Sequence, residues 1–158
     1  MVSEALLLSI CIPTFNRAEI LRKSLDAILD QKEFKETDEV EIVISDNCST
    51  DETRSVVAAY IALHPGKIRY HCNSENNADL NFEQALSLGR GKFLKLLNDS
   101  ALASPGTLAD LLNVIRATQE ERPVIFCSNR ISSGQEPISV ANNLSEFLMG
   151  GRFYVSDY

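Results

Sequence analysis

The chain has 158 residues, 44% of them hydrophobic and 23% charged, which excludes a disordered protein and allows one compact domain with a substantial core. The formal net charge is -7, and the sequence has no cluster of Lys or Arg that could form a basic surface. Because a nucleic-acid backbone needs such a surface, we expect no nucleic acid among the partners.

The cysteines and the N-terminus indicate a protein of a reducing compartment. The four cysteines are far apart and form no CxxC pair or zinc-ligand pattern, so buried free thiols are expected. The N-terminal apolar stretch is too short to cross a membrane, and it follows Glu4 rather than the basic residues of a signal peptide. We therefore expect a cytoplasmic protein with no transmembrane segment, and association with the inner face of the membrane stays open.

The first half of the chain alternates apolar runs with helical periodicity. The run 6–12 has strand length and is expected to stop at Pro13, and the run 40–45 is a second predicted strand. Segments 17–31 and 49–64 are predicted helices. In the first of these helices one face is apolar: Ile20, Leu21, Leu25, Ile28 and Leu29.

The same alternation continues to the C-terminal part. The further predicted elements are strand 67–72, helix 79–89, strand 92–97, helix 107–121, strand 124–128 and a short helix at 142–149. In helix 79–89 the side chains expected to face the core are Leu80, Ala85, Leu86 and Leu88. Repeated βα units predict an α/β fold, a three-layer αβα sandwich with a mostly parallel central sheet.

The turns that follow the first four predicted strands are polar and read PTFNR, DNCSTD, NSENNAD and NDS. Parallel α/β sheets bind ligands outside the carboxyl ends of their strands, so these turns are candidate binding loops. Each also has a purely structural interpretation. Arg17 suits a phosphorylated ligand, whereas Asn16 could simply cap a helix. Asp46 suits a nucleobase or a ribose, or its turn only caps the next helix, and NDS could be an Asx-type turn.

Several common catalytic patterns do not occur. No G-x-G-x-x-G follows the first predicted strand, and the chain contains no G-x-x-x-x-G-K-[ST] and no G-x-S-x-G. The sequence Gly89-Arg90-Gly91-Lys92 precedes a strand and is interpreted as a turn. The two histidines, His64 and His71, are interpreted as structural.

Three segments carry a resemblance: LLLSICIPTFNRAEILRKSLDAILDQ, VEIVISDNCSTDETRSVV and GRGKFLKLLNDSALASPGTL. In this order and at these intervals they resemble the first half of a family 2 glycosyltransferase with the GT-A fold, over roughly residues 6–115. The stretch NADLNFEQALSLGRGKF resembles a branch of the family with D-x-N at this point, where more familiar members carry an Arg-Asn pair.

The resemblance implies a nucleotide-diphospho-sugar transferase-like domain. The implied reaction is an inverting transfer of a sugar from a nucleoside diphosphate donor to a saccharide or lipid-linked glycan acceptor, in polysaccharide or glycoconjugate assembly. The matching nucleotide-sugar-binding positions are Pro13, Thr14, Phe15, Arg17, Asp46, Asp79, Asn81, Asn98 and Asp99. Of these, Asp46 is expected to hold the base, and the loop around Asp79 and Asn81 is expected to close over the donor.

The resemblance also implies a divalent cation, Mn²⁺ or Mg²⁺, at an aspartate-rich motif after the fourth predicted strand. Asp99 falls where the family's acid contacts the ribose or the metal, and it is the metal ligand assigned here. Ser100 falls where the main metal-ligating aspartate is expected, and Asn98 brings an amide oxygen without charge. Because these ions favour charged oxygen ligands, the motif predicts a weakened metal site.

The length bounds what the chain can do by itself. In the family, the acceptor-binding half and the catalytic base follow the donor half, whereas this chain ends at FYVSDY. We therefore expect residues 1–158 to form a single nucleotide-sugar-binding domain truncated before the acceptor half, with no catalytic residue assigned. Such a chain is predicted to bind donor weakly and to transfer sugar poorly or not at all. The alternative function is a non-catalytic nucleotide-binding or interaction module with a degenerate metal site.

Overall fold

A computed structural model describes residues 6–78, 80–118, 124–127 and 138–141. The chain divides into two compact units, residues 1–108 and 109–158. The strands of the first unit are β1 (Leu8–Thr14), β2 (Val40–Asp46), β3 (Ile68–Cys72) and β4 (Phe93–Leu96). Its helices are α1 (Ala18–Leu29), α2 (Lys32–Glu36), α3 (Thr53–Leu63) and α4 (Leu80–Ser87).

The four strands of the first unit form one parallel sheet in the order β3-β2-β1-β4. Since β1, β2 and β3 follow one another in one direction, right-handed crossovers place α1 and α3 on the same face, where they pack against each other. The chain then returns across the sheet, and α4 packs against β1, β2 and β4 on the opposite face. The predicted three-layer α/β architecture is confirmed.

Strands β1 and β2 lie in the middle of the sheet, and every residue of both is buried. A strand covered on both faces needs apolar side chains in both directions, which explains why these segments are continuous apolar runs rather than alternating ones. The edge strands β3 and β4 are only partly buried. The largest fully buried side chains of this unit include Leu8, Ile12, Leu21, Leu25, Ile28, Phe34, Ile42 and Ile44.

The end of β1 differs from the prediction for a physical reason. Pro13 does not stop β1, which continues to Thr14. The ring nitrogen of Pro13 faces the side of β1 where β4 has already ended, because the last pair between these strands is Cys11 with Leu96. The missing N–H of proline therefore breaks no hydrogen bond of the sheet.

Two apolar side chains that were expected to face the core lie outside it. Ile20 in α1 and Leu80 in α4 are exposed, whereas Ser24 and Asn81 occupy buried positions on these helices. Both buried polar side chains are hydrogen-bonded: Ser24 Oγ donates to the carbonyl oxygen of Ala101 at 2.8 Å, and Asn81 bonds to the ends of two strands. Hydrogen bonding therefore overrides the hydrophobic pattern at these two positions.

Helix α5 (Thr107–Thr118) begins at the end of the first unit and continues into the second. In the second unit, β5 (Val124–Cys127) pairs in antiparallel fashion with β6 (Ile138–Ala141). Helix α2 and strand β6 were not predicted, and the short helix expected at 142–149 lies outside the described residues. Within the described part of the chain, none of the helices combines the length and the hydropathy that crossing a membrane would require.

A polar cluster is buried beneath the turn between α4 and β4. Ser9 Oγ donates to Glu41 Oε1 at 2.7 Å, and Arg69 Nη1 lies 3.5 Å from Glu41 Oε2. The backbone N–H of Arg90 donates to Glu41 Oε1 at 2.9 Å, and the N–H of Gly91 donates to Ser9 Oγ at 2.7 Å. The cluster fixes the start of β4 against the central strands, because a buried carboxylate is stable only when such partners surround it.

Cys11 is expected to resist alkylation at about pH 8 in the folded chain, whereas Cys48 and Cys72 react. Cys11 is fully buried, and the other two are partly exposed. Burial, followed by the charge of Glu41, raises the pKa of the Cys11 thiol to about 11. Since the thiolate is the reactive form, Cys11 stays protonated and inert until the pH approaches that value.

Treatment with iodoacetamide followed by peptide mass spectrometry measures this difference. The same reaction in urea should label Cys11 and serves as the control. Modification of Cys11 at the rate of Cys48 in the folded chain would contradict the buried position of β1.

Candidate functional site

The loops after β1 and β4 meet at the carboxyl edge of the sheet through Asp99. This carboxylate is 4% exposed. Its Oδ2 accepts a hydrogen bond from Thr14 Oγ1 at 2.9 Å, and its Oδ1 accepts one from Arg17 Nη1 at 3.1 Å. Half of the Arg17 side chain is exposed to solvent. Asp99 is therefore a buried anion, and its partner Arg17 is a cation at the surface.

A second set of contacts joins the loop after β1 to the loop after β2. The backbone N–H of Asn16 donates to Ser49 Oγ at 2.8 Å, and Asn16 Oδ1 accepts from the N–H of Thr50 at 2.8 Å. Asn16 therefore ties two loops together and does not cap α1, contrary to its structural interpretation from the sequence.

Asp51 caps two helices at once. Its Oδ2 accepts from the N–H of Ala18 at the start of α1, and its Oδ1 accepts from the N–H and Oγ1 of Thr53 at the start of α3. Burial by itself raises the pKa of Asp51, but the hydrogen bonds from Thr53 and Ala18 outweigh this effect and lower the pKa below its usual value. The starts of both helices are thus held at one point of this edge.

Asp46, the predicted base-binding residue, is 1% exposed and bound through both oxygens. Oδ1 accepts from the N–H of Ser49 at 2.9 Å, and Oδ2 accepts from the hydroxyl of Tyr70 at 2.5 Å. Burial, and then the hydrogen bond to Asp46 with its charge, raises the pKa of Tyr70. Tyr70 therefore stays protonated and donates this hydrogen bond. A nucleobase can bind Asp46 in two ways: the contact with Tyr70 rearranges, or the nucleobase uses the lone pairs of Asp46 that the two hydrogen bonds leave free.

Five asparagine side chains connect the loop after β3 to the ends of β1 and β2. Asn81 is the innermost: its Oδ1 accepts from Ser45 Oγ at 2.7 Å and from Asn73 Nδ2 at 3.0 Å. Its Nδ2 donates to the carbonyl oxygen of Ser45 at 3.0 Å and to that of Thr14 at 3.5 Å. The outer contacts run through Asn47, Asn76 and Asn77.

Backbone strain is concentrated at the same edge. Among the described residues other than glycine, φ is positive at Asn16 (51°), Cys48 (66°) and Ala78 (48°). These three residues lie in the loops after β1, β2 and β3 respectively. Such conformations are costly for residues with a Cβ atom and are commonly retained at binding sites.

The side chains after β4 do not form the donor set that a divalent cation requires. Both oxygens of Asp99 already accept hydrogen bonds, and Asn98 Oδ1 accepts from the N–H and Oγ of Ser100 at 3.1 and 2.9 Å. Over the described ranges, no three Asp, Glu, His or Cys side chains are grouped closely enough to hold a metal ion. One carboxylate paired with a guanidinium does not fit Mn²⁺ or Mg²⁺.

The structure brings together most of the predicted binding residues. Thr14, Arg17 and Asp99 are in direct contact, and Asn81 bonds to the carbonyl oxygen of Thr14. Four further predicted residues lie in the first unit. Pro13 is buried in β1, Phe15 is 40% exposed, Asp46 bonds to Tyr70, and Asn98 is the neighbour of Asp99 in the chain. Asp79 lies outside the described residues.

Sequence reasoning missed three contributors to this edge: Asp51, Tyr70 and Asn73. Asp51 falls within the predicted helix 49–64 and Tyr70 within the predicted strand 67–72, so neither is selected from the sequence as a site residue. Asn73 carried a usable signal, since it begins the asparagine-rich turn after β3. Its partners could not be read from the sequence because they depend on the packing of α4.

Comparison with known proteins identifies the family. The sequence model of glycosyl transferase family 2 matches residues 9–153. The abequosyltransferase RfbV of Salmonella typhimurium is 32% identical over 139 residues, which cover 87% of this chain and 40% of that protein.

Two solved structures share the fold. S. aureus TarS in complex with UDP-GlcNAc aligns with a TM-score of 0.65 at 22% identity, covering 82% of this chain and 36% of that one. The Pyrobaculum calidifontis mannosyltransferase PcManGT with GDP-Man and Mn²⁺ aligns with a TM-score of 0.61 at 25% identity, covering 72% and 33%. The chain thus spans 40% or less of the length of these proteins. By the family match over most of its length, the chain belongs to glycosyl transferase family 2.

Proposed function

We propose that this chain is the donor-binding part of an inverting glycosyltransferase that uses a nucleoside diphosphate sugar. The observation that carries the proposal is the pair of hydrogen bonds that Arg17 and Thr14 donate to Asp99, at the carboxyl edge where parallel sheets bind ligands. Its relatives support the donor class, since two similar structures are complexes with UDP-GlcNAc and GDP-Man.

In the proposed reaction, an acceptor hydroxyl oxygen attacks the anomeric carbon of the donor sugar. The bond between this carbon and the diphosphate oxygen breaks, its electron pair stays on the diphosphate, and the hydroxyl proton passes to a base. No residue of the chain is assigned as that base. The contribution assigned to this chain is to bind the nucleotide and to stabilise the charge that develops on the diphosphate.

The predicted residues take these roles at one edge of the sheet. We assign the ribose and diphosphate to the segment of Pro13, Thr14, Phe15 and Arg17 together with Asn98 and Asp99. We assign the nucleobase to Asp46, and closure over the donor to the segment around Asp79 and Asn81. The hydrogen bonds of Asn81 with the ends of β1 and β2 support a position of that segment at the binding edge.

The acceptor and the location complete the proposal. We propose a saccharide or a lipid-linked glycan as acceptor, in polysaccharide or glycoconjugate assembly at the cytoplasmic face of a membrane. The relationship to a protein named abequosyltransferase, whose alignment covers 87% of this chain, supports sugar transfer as the activity.

Titration with UDP, GDP, CDP and dTDP tests donor binding. We expect one of these diphosphates to bind more tightly than the others. We expect Asp46→Asn to weaken binding of that diphosphate by about tenfold, because a carboxylate accepts a hydrogen bond from a nucleobase N–H more strongly than an amide does. Inorganic pyrophosphate lacks a base, and its affinity should stay the same. Asp30→Asn, an exposed residue after α1, is the matched control. Failure of all four diphosphates to bind would contradict the proposal.

A non-catalytic module is the second candidate, and the unsuitable metal donor set after β4 favours it. The two functions share a fold, so only activity separates them. We expect no transfer to saccharide acceptors by the 158-residue chain alone. Transfer detected with any acceptor would exclude the non-catalytic module and would also contradict this expectation.

A further inference from the structure

We infer that the guanidinium of Arg17 takes the place of a divalent cation at the diphosphate, and that Asp99 positions this guanidinium instead of ligating a metal. The inference rests on the proposed function, because it assumes that a nucleoside diphosphate binds at this edge. It assigns Asp99 as a positioning residue and Arg17 as the group that contacts the ligand.

The geometry holds Arg17 in place from one side only. Arg17 lies in the short turn after β1, which ends at Thr14, and is the residue immediately before α1, so its backbone is held close to both elements. Its Nη1 contacts the buried Asp99, while half of the side chain stays exposed. A guanidinium has five N–H donors, and the contact with Asp99 uses one nitrogen. The exposed side can therefore donate hydrogen bonds to a phosphate.

The contacts of Asp99 disfavour the binding of a metal ion. A cation that ligates Asp99 Oδ1 would lie next to the positive guanidinium, and one that ligates Oδ2 would compete with the hydrogen bond from Thr14 Oγ1. The next residue, Ser100, carries no charge, and its hydroxyl donates a hydrogen bond to Asn98 Oδ1. The contacts after β4 thus supply one guanidinium and one carboxylate, in place of the several charged oxygen ligands that a divalent cation favours.

The chemical role of Arg17 is electrostatic. When the bond between sugar and diphosphate breaks, negative charge develops on the leaving oxygens. An arginine keeps its proton at any working pH and donates hydrogen bonds to these oxygens without transferring a proton. Asp99 keeps the guanidinium oriented before the ligand arrives, which avoids an ordering cost during the reaction.

Titration of the whole chain with UDP, GDP, CDP and dTDP, in EDTA and again in Mn²⁺, tests the inference. We expect the preferred diphosphate to bind equally well under both conditions, within about twofold. Arg17→Gln should weaken binding of this diphosphate by about tenfold to a hundredfold, both in EDTA and in Mn²⁺. Arg17→Lys keeps the positive charge but loses the paired N–H donors of the guanidinium, so its affinity should lie between those of the unaltered chain and of Arg17→Gln. Arg22→Gln is the control: Arg22 lies in α1, which begins immediately after Arg17, has similar exposure and pairs with Glu19.

Asp99→Asn separates a positioning role from metal ligation. If Asp99 orients Arg17, this variant weakens binding in EDTA and in Mn²⁺ alike; a loss seen only in Mn²⁺ would overturn the inference. Binding of the unaltered chain only in Mn²⁺ would also overturn it and would leave the proposed function intact. No binding under either condition would overturn both. Thermal unfolding of each variant verifies that it is folded.

Discussion

A single methyl group at Gly91 is expected to lower the free energy of unfolding by about 3 kcal/mol or more. A Cβ atom at this position would lie 2.6 Å from the backbone nitrogen of Ser9 and 2.7 Å from the carbonyl carbon of Leu8. Both atoms belong to β1, which is paired with β2 on one side and β4 on the other. The central strand cannot move away without breaking both pairings, so Gly91→Ala should be strongly destabilising.

Gly89→Ala provides the matched control two residues earlier in the same turn. There the closest atom to the added Cβ would be Leu94 Cδ2 at 2.5 Å, the end of a half-exposed side chain that can rotate away. We expect a loss of about 1 kcal/mol. Urea unfolding monitored by far-UV circular dichroism measures both variants. Equal losses at the two positions would show that the backbone of β1 is not the obstacle.

Gly91 also illustrates which parts of the fold the sequence could predict. The order of strands and helices follows from local patterns, since the buried strands are continuous apolar runs and the helices have an apolar face. The glycine pair was interpreted only as a turn. Its contact with Ser9 spans more than eighty residues of sequence and depends on β4 lying beside β1. No local pattern encodes that distance.

For the binding edge, position in the chain was the usable signal. Asp46 and Asp99 are selected because each lies at the carboxyl end of a predicted strand, and in the structure both lie at the same edge of the sheet. Their partners were less accessible to sequence reasoning. Tyr70 sits inside an edge strand, and its hydroxyl reaches Asp46 across the strand pair. A tyrosine in a strand is usually counted as core, so its role became visible only with the register.

Helix α4 shows a second limit. The hydrophobic pattern placed Leu80 in the core, but Leu80 is 60% exposed and the adjacent Asn81 is buried. The helix is rotated because Asn81 hydrogen-bonds to Ser45 and Thr14 at the ends of β2 and β1. Several buried hydrogen bonds outweigh the burial of one leucine, since each unmade buried bond costs about 1–3 kcal/mol.

Replacement of Asn81 with alanine is therefore expected to lower the free energy of unfolding by about 2–4 kcal/mol and to weaken diphosphate binding. The truncation removes the acceptor of the buried Ser45 hydroxyl and the amide donor to the Ser45 carbonyl oxygen, whereas Asn73 Nδ2 keeps its contacts with Asn47 and Asn77. Asn76→Ala is the control from the same network. Asn76 is exposed, so water can replace its contacts, and we expect a loss below about 1 kcal/mol.

Asn81→Asp refines the test because it keeps the size of the side chain. The carboxylate still accepts from Ser45 Oγ, but it faces the carbonyl oxygen of Ser45 without a proton to donate. This variant should be destabilised at neutral pH and should recover stability as the pH falls, since the protonated acid can donate again. Urea unfolding between neutral and mildly acidic pH measures the recovery. A variant equally unstable at every pH would contradict the donor role of Asn81. A stable variant with unchanged diphosphate binding would separate this network from the binding edge.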